Sequence, residues 1–139
     1  MQLFVITNHG ITDEQRKDAI ASLGVSGFVK LPDIWKEVWG RIPPEAASVD
    51  GVVQPVLDWL SEMREPDDIV WVQGEWGATV TVLDYCRRMG IRCVYSTTAR
   101  VAEDINTPEG VKATHIIKHV RYRDYPKDLT SKTQSGFLH

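Results

Sequence analysis

The sequence predicts an α/β domain whose mainly parallel β-sheet is flanked by helices. Short apolar, β-branched runs alternate with amphipathic helical segments, which is typical of right-handed βαβ units. Clusters of polar turn residues follow these runs. The chain has 139 residues, of which 25% are charged, and this size suits one globular domain with its own core.

The first half of the chain begins with two strands and a helix between them. Residues 2–7 are apolar enough for a buried strand, and a second short strand is expected over 27–31. Thr12 and Gln15 form a capping box at the start of the intervening helix. Gly24 is expected to end that helix.

Two further helices are expected before the third strand. Pro32 and Asp33 open a short helix in which Trp35 and Trp39 share a packing face. A longer helix is predicted by apolar residues at i, i+3, i+4 and i+7 spacing, namely Val53, Val56, Leu57 and Leu60.

A third strand and a fourth helix follow. Residues 69–73 form a short apolar strand, after which the chain turns into a helix that Gly90 ends. The inward side of this helix is predicted to carry Val82, Leu83, Cys86 and Met89.

The last part of the chain predicts one more strand and a hairpin. Residues 92–95 form the strand, which is expected to end in the polar cluster Ser96-Thr97-Thr98. The segments 98–105 and 111–122, joined by a turn-rich connector, are then expected to pair as an antiparallel hairpin at the edge of the sheet. The whole pattern predicts a Rossmann-like architecture.

Charge and hydropathy exclude several function classes. The net charge of −3 argues against indiscriminate binding of nucleic acid, and the basic C-terminal segment favours a local anion site over a DNA-binding face. No apolar run reaches membrane length, and the N-terminus lacks a basic leader. We therefore expect a cytoplasmic protein that contacts neither membrane nor DNA.

Cysteine and histidine placement indicates no metal and no cofactor. Cys86 and Cys93 form no C-x-x-C pair and are expected to fill the core in reduced form. His115 and His119 share a strand face, but no Cys or third His stands at ligand spacing. We interpret both histidines as surface or packing residues.

Three polar turns follow three of the predicted strands. In open α/β sheets, ligands bind outside the carboxyl ends of the strands, so these turns are candidates for one site. Each alone also suits an ordinary capped turn. The turns are Thr7-Asn8-His9-Gly10, Gln73-Gly74-Glu75-Trp76-Gly77 and Ser96-Thr97-Thr98-Ala99-Arg100.

The second turn leads into a helix whose first N–H groups attract a phosphate near Gly77. Glu75 opposes that charge, so it either accepts a hydrogen bond from a ribose hydroxyl or adenine amine, or caps the helix. Trp76 either stacks on a base or packs in the core. The chain has no G-x-G-x-x-G and no Walker loop, so dinucleotide binding and ATP hydrolysis are weak hypotheses.

Two charged or titratable residues stand in the other turns. His9 lies directly after the first strand, where an imidazole exchanges protons near neutral pH, unless it is simply a solvent-facing loop residue. Arg100 can hold a phosphate bidentately, and the alternative is a surface ion pair.

These residues, in this order and spacing, resemble a known family. The segments 73–79, 95–100 and 118–123, together with Thr7-Asn8-His9, resemble the small CRISPR-associated ring nucleases of type III systems, which are stand-alone CARF-fold proteins. The resemblance implies a single CARF-like domain over residues 1–125. The tail, residues 126–139, lies outside it and is expected to be disordered.

The resemblance implies a homodimer that binds cyclic tetra-adenylate across its two-fold axis. A ligand with rotational symmetry suits an isologous dimer, because each protomer presents the same residues to equivalent nucleotides. Cleavage needs no metal: a ribose 2′-hydroxyl attacks the adjacent phosphorus and leaves linear products with a 2′,3′-cyclic phosphate. The reaction switches off type III CRISPR signalling.

The resemblance also implies roles for single residues. His9 would protonate the leaving oxygen and Arg100 would hold developing charge on phosphorus, with Thr97 and Glu75 as further catalytic residues. The residues assigned to substrate binding are Thr7, Asn8, Gln73, Gly74, Trp76, Gly77, Thr79, Ser96 and Thr98.

Two other functions use the same turns. One is a non-catalytic sensor or sponge for cyclic oligoadenylate, which the sequence does not separate from the enzyme. The other is a flavodoxin-like or receiver-like regulatory domain, which ranks last because the acidic pocket of a receiver is missing.

Overall fold

A five-stranded β-sheet forms the centre of the fold. The computed structural model describes residues 1–127, which include the strands β1 (Gln2–Ile6), β2 (Gly27–Lys30), β3 (Ile69–Val72), β4 (Arg92–Thr107) and β5 (Gly110–Asp124). They lie in the order β2-β1-β3-β4-β5. The pairs β1/β2, β1/β3 and β3/β4 are parallel, and β4/β5 is antiparallel. The α/β class, with a mainly parallel sheet and a C-terminal hairpin, is confirmed.

The helices that join these strands begin and end close to the predicted signals. They are α1 (Asp13–Asp18), α2 (Asp33–Gly40), α3 (Asp50–Met63) and α4 (Trp76–Met89). The capping box of Thr12 and Gln15 is present at the start of α1. The helix continues as a π-helical turn over Ala19–Leu23, which Gly24 ends with a left-handed φ of 74°.

Successive residues of β1 pack on opposite faces of the sheet. Phe4 and Ile6 belong to the larger core, which α2, α3 and α4 cover, whereas Leu3 and Val5 belong to a smaller core that contains Leu23. Burial on both faces explains why β1 and β3 are continuous apolar runs. The body of the sheet is therefore closed to ligands, and its accessible chemistry lies at the strand ends.

The structure corrects the prediction for β4. The expected turn Ser96-Thr97-Thr98-Ala99-Arg100 does not form, because these residues stay extended and pair with β5. Ser and Thr locally favour turns, but this long-range strand pairing overrides that preference. The pairing of β4 with β3 reaches only to Val94. Beyond it, residues 98–119 form a two-stranded projection, which we call the arm.

A β-bulge lies where the arm leaves the body of the sheet. Thr97 pairs with Arg121 and Thr98 pairs with His119, so Val120 is an extra residue on β5. The insertion shifts the alternation of side chains by one residue. His119 and Tyr122 therefore lie on the same side of the sheet, with their ring centroids 4.7 Å apart.

Some smaller expectations are settled by burial. Met89 is 50% exposed, so its predicted inward position is wrong, and Tyr85 fills the inward side of α4 instead. Cys86 and Cys93 are free and buried, as predicted for core residues.

None of the helices within residues 1–127 combines the length and apolar character needed to cross a membrane. Of the predicted tail, residues 128–139 lie outside the described part of the chain.

Candidate functional site

An open cavity of about 790 Å³ lies at the carboxyl ends of β1 and β3. Its volume is within the range of roughly 300–1,000 Å³ that is typical of small-molecule sites. Its walls come from the loop after β1, the first turn of α1, the end of β3 and the base of the arm. The polar lining residues include Thr7, Asn8, His9, Gln73, Ser96, Thr98, Lys118 and His119.

The strand order explains why a cavity forms at this place. The chain leaves β1 in one direction to reach β2, and the next strand added, β3, lies on the other side of β1. The connections therefore diverge between β1 and β3, which opens a crevice at the carboxyl ends of these two strands. Two of the three predicted turns, after β1 and after β3, border this crevice.

The loop after β1 is held by its first residue. Thr7 is 6% exposed, and its hydroxyl donates a hydrogen bond of 2.8 Å to the carbonyl oxygen of His9. This bond closes the loop locally and leaves Asn8 and His9 exposed beside the cavity. The local turn chemistry of the Thr-Asn-His-Gly sequence is thus what positions His9.

Gln73 connects the end of β3 to its neighbours. Its side-chain oxygen accepts hydrogen bonds from Trp71 Nε1 at 2.6 Å and from the backbone N–H of Ser96 at 2.8 Å. Its own carbonyl oxygen accepts a bond of 3.0 Å from Trp39 Nε1. Gly74 packs against that indole, since a Cβ built there would lie 2.8 Å from Cε2 of Trp39. Gln73 and Gly74 therefore form part of the cavity wall, which these contacts hold in place.

A hydrogen-bonded chain of Ser96, His119 and Asp18 borders the cavity. Ser96 Oγ lies 2.6 Å from His119 Nδ1, and His119 Nε2 lies 2.6 Å from a carboxylate oxygen of Asp18. Ser96 is 6% exposed, and the His119 side chain is 4% exposed. The three residues come from β4, β5 and α1, so the chain joins three elements at the base of the arm. We call it the Ser-His-Asp chain.

Sequence reasoning missed two members of this chain. His119 was expected to be a surface or packing residue, but its ring is buried and hydrogen-bonded through both nitrogens. Asp18 lies 101 residues away from it in sequence, and no local pattern links the two. The bulge at Val120 also conceals the side of the sheet on which His119 lies. A regular alternation of side chains would put His119 and Tyr122 on opposite sides.

The surroundings of Asp18 favour its charged form. Burial by itself raises the pKa of this carboxyl, but hydrogen bonds from Ser22 and His119, together with electrostatic interactions with His119 and Arg121, bring the pKa below its usual value. Burial, followed by the negative charge of Asp18, raises the pKa of Tyr122 well above its ordinary value. The Tyr122 hydroxyl donates to the carbonyl oxygen of Gln15 at 3.0 Å.

Several predicted site residues lie outside the cavity lining. Glu75 caps α4 by accepting a hydrogen bond from the N–H of Gly77, which is the capping alternative. Trp76 is 88% exposed, so a core role for it is excluded. Thr79 has a buried hydroxyl with no hydrogen-bond partner among the described residues. The α4 N-terminus thus borders the site and does not line it.

The third predicted turn, residues 96–100, spans the junction between the body of the sheet and the arm, and only some of its residues line the cavity. Ser96 and Thr98 line the cavity, whereas the Thr97 hydroxyl donates to the carbonyl oxygen of Arg121 at 3.0 Å. Arg100 lies on the arm opposite Ile117, exposed and outside the cavity lining. Within one protomer, Arg100 therefore does not join the residues at the strand ends.

The charge at the cavity rim is mixed. The cavity lining includes the basic side chains His9 and Lys118 and the carboxylates Asp13 and Glu14. Residues 1–127 contain no group of three or more His, Cys, Asp or Glu side chains that is placed to hold a metal ion. A hydrogen bond with Cys86 and burial raise the pKa of the Cys93 thiol, which disfavours its thiolate form.

The match to a protein family covers most of the chain. Residues 1–123 match the Uncharacterized protein MJ1673 family, so the chain belongs to that family. The Uncharacterized protein MJ1673 of Methanocaldococcus jannaschii is 33% identical over 124 residues, which span 89% of this chain and 96% of that protein. No solved structure matches the chain. The match covers β1 to β4 and all of β5 except its last residue, and it includes every residue of the cavity lining.

Proposed function

We propose that this member of the MJ1673 family is a ring nuclease with a CARF-type, Rossmann-like fold. In this proposal a cytoplasmic homodimer binds cyclic tetra-adenylate and cuts it without a metal, by attack of a ribose 2′-hydroxyl on the adjacent phosphorus. The 2′-oxygen forms a bond to phosphorus as the bond to the 5′-oxygen breaks, which leaves a 2′,3′-cyclic phosphate and a 5′-hydroxyl. Removing the messenger switches off type III CRISPR signalling.

The observation that carries the proposal is the cavity at the divergence of β1 and β3, whose lining includes several polar side chains. Its lining offers hydroxyl, amide and imidazole groups from Thr7, Asn8, His9, Ser96 and Thr98. Such groups hydrogen-bond phosphate oxygens, ribose hydroxyls and base edges. The rim carboxylates of α1 suit hydroxyl and amine donors of a nucleotide, whereas His9 and Lys118 suit its phosphates.

The arm supports a dimeric state. Val101 and Ile116 lie directly opposite each other, each 37% exposed, and Ile105 continues the same side at 47% exposure. Ile117 on the other side is 67% exposed. Apolar surface of this kind on a projecting hairpin favours burial against a second protein surface. An isologous dimer formed by the arms would bring two cavities to one symmetric ligand.

The dimer also gives Arg100 a role that one protomer does not. On the arm it lies where a second subunit and a shared ligand would meet, and its guanidinium would hold a phosphate bidentately. His9, at the cavity rim, would protonate the leaving 5′-oxygen. The exposed indole of Trp76 would stack on an adenine base at the border of the site.

The purified protein incubated with cyclic tetra-adenylate in EDTA tests the proposal. Chromatography is expected to resolve linear products that carry a 2′,3′-cyclic phosphate. A ring that is bound but remains intact would show a sensor or sponge and refute the nuclease. A ring that is neither bound nor cut would refute the ligand itself.

Matched substitutions then test the two assigned catalytic side chains. We expect Arg100→Ala and His9→Ala each to lower the single-turnover rate by about 10²-fold or more. Arg88→Ala changes an exposed arginine of α4, outside both the arm and the cavity lining, and should leave the rate unchanged. Wild-type cleavage by either site variant would remove that residue's role.

A further inference from the structure

The Ser-His-Asp chain has no role in the mechanism described above. We propose that it is the general base of the site: Ser96 Oγ takes the proton of the attacking ribose hydroxyl while His119 takes the proton of Ser96. This inference rests on the proposed function and adds the group that activates the nucleophile. Asp18 acts as a positioning residue, because it contacts His119 and lies behind it.

The hydrogen-bond geometry fixes the direction of proton transfer. A carboxylate only accepts hydrogen bonds, so His119 Nε2, 2.6 Å from Asp18, must carry a hydrogen. In the neutral ring, Nδ1 is then an acceptor, and the hydroxyl of Ser96 donates to it over 2.6 Å. The lone pairs of Ser96 Oγ remain able to accept a hydrogen bond from a hydroxyl in the cavity.

The position of the chain matches this role. Ser96 and His119 both line the cavity, and the Asp18 side chain, 24% exposed, lies on the far side of the ring. Gln73 holds the backbone N–H of Ser96 at 2.8 Å, so the hydroxyl sits on a strand fixed to β3. The same order of serine, imidazole and carboxylate activates hydroxyl groups in enzymes of unrelated folds.

The proposed step balances in protons and electrons. The 2′-hydroxyl gives its proton to Ser96 Oγ, Ser96 gives its own proton to His119 Nδ1, and the 2′-oxygen uses its electron pair to bond to phosphorus. The bond from phosphorus to the 5′-oxygen breaks, and that oxygen takes a proton from the His9 imidazolium. Exchange with solvent then returns His119 to the neutral ring and His9 to the imidazolium. The positive ring of His119 is stabilised meanwhile by the negative charge of Asp18.

Single-turnover cleavage of cyclic tetra-adenylate, measured beside ligand affinity, tests the chain. We expect His119→Gln and Ser96→Ala to lower the rate by about 10²-fold or more while the Kd changes less than about threefold. Asp18→Asn should also lower the rate, because an amide that donates to Nε2 leaves the hydrogen on Nδ1, where it blocks acceptance from Ser96. Ser61→Ala, an exposed serine of α3 outside both the arm and the cavity lining, is the matched control for Ser96→Ala and should cleave normally.

The pH profile separates proton transfer from a structural role. The wild-type rate should fall on the acid side as the imidazole gains a proton, and His119→Gln should lose this acid limb. The ring is hydrogen-bonded to Asp18, its centroid lies 4.7 Å from that of Tyr122, and Arg121 acts on Asp18 through its charge, so the Asp18→Asn profile should shift as well.

The outcomes distinguish this inference from the proposed function. If the wild type cleaves the ring while folded Ser96→Ala and His119→Gln cleave it at the wild-type rate, the general base is wrong and the nuclease stands. If the wild type leaves the ring intact, both fall. Should His119→Gln fail to fold, Ser96→Ala decides alone, since it leaves the pair of His119 and Asp18 in place.

Discussion

The two halves of β4 share one continuous backbone but differ in everything around it. From Arg92 to Val94 the strand pairs with β3, Val94 also pairs with Asp124 of β5, and Val94 is fully buried. From Thr98 to Thr107 its only strand neighbour among residues 1–127 is β5, and most side chains are exposed. The first half packs in the core of its own subunit, whereas the second half contributes no residue to that core. In the proposed dimer, the second subunit would supply the packing surface that the arm lacks within its own subunit.

The largest expected effect compares one valine in each half. Val94→Ala removes buried methyl groups and leaves a cavity, so the free energy of unfolding should fall by about 2–3 kcal/mol. Val101→Ala, at a position 37% exposed, should change it by less than ~0.5 kcal/mol in a dilute, monomeric sample. Urea denaturation at several protein concentrations measures both changes.

Concentration dependence sharpens this first comparison. If the arm forms the dimer interface, Val101→Ala should destabilise the protein at high concentration and weaken the dimer in light scattering, because association stabilises the folded state. Equal effects of Val101→Ala at all concentrations would contradict a role for the arm in association.

A smaller effect is expected where the body of the sheet borders the cavity. Gly74→Ala places a Cβ against the indole of Trp39 and disturbs its bond to the Gln73 carbonyl, so we expect a loss of about 1–2 kcal/mol in stability. Gly51→Ala is the control, because nothing lies within 4 Å of a Cβ at that helical position. The control should stabilise α3 by about 0.5–1 kcal/mol in thermal unfolding.

The smallest effect concerns the junction of body and arm. The pKa of Asp18 is lowered in the folded protein, so its charged form stabilises the fold at pH values above the unfolded pKa of about 3.9. This stabilisation is lost as the pH falls through the folded pKa. Denaturation between pH 7 and pH 2 should therefore show a steeper acid loss for the wild type than for Asp18→Asn. Parallel curves for the two proteins would contradict the lowered pKa of Asp18 in the folded state.

The sequence predicts the body of the fold more fully than the arm and the site. The helix ends at Thr12 and Gly24 and the buried strands follow from local signals, because capping and apolar periodicity act over a few residues. The turn expected at Ser96 was wrong, because its backbone partner lies in β5. The loops after β1 and β3 were predicted and do border the cavity. The Ser-His-Asp chain was not predicted, since Asp18 and His119 meet only through the tertiary fold.

One residue, Val120, has a consequence for how other members of the family are compared. Strand side chains obey an odd-even rule, and the extra residue reverses parity for everything between it and the hairpin turn. A relative that lacks this one residue would keep its histidine opposite the equivalent of Thr98, because the extra residue has no partner of its own. A one-residue gap in an alignment at this point therefore leaves the inner and outer surfaces of β5 unchanged, whereas the same gap at a paired position would exchange them as far as the hairpin turn.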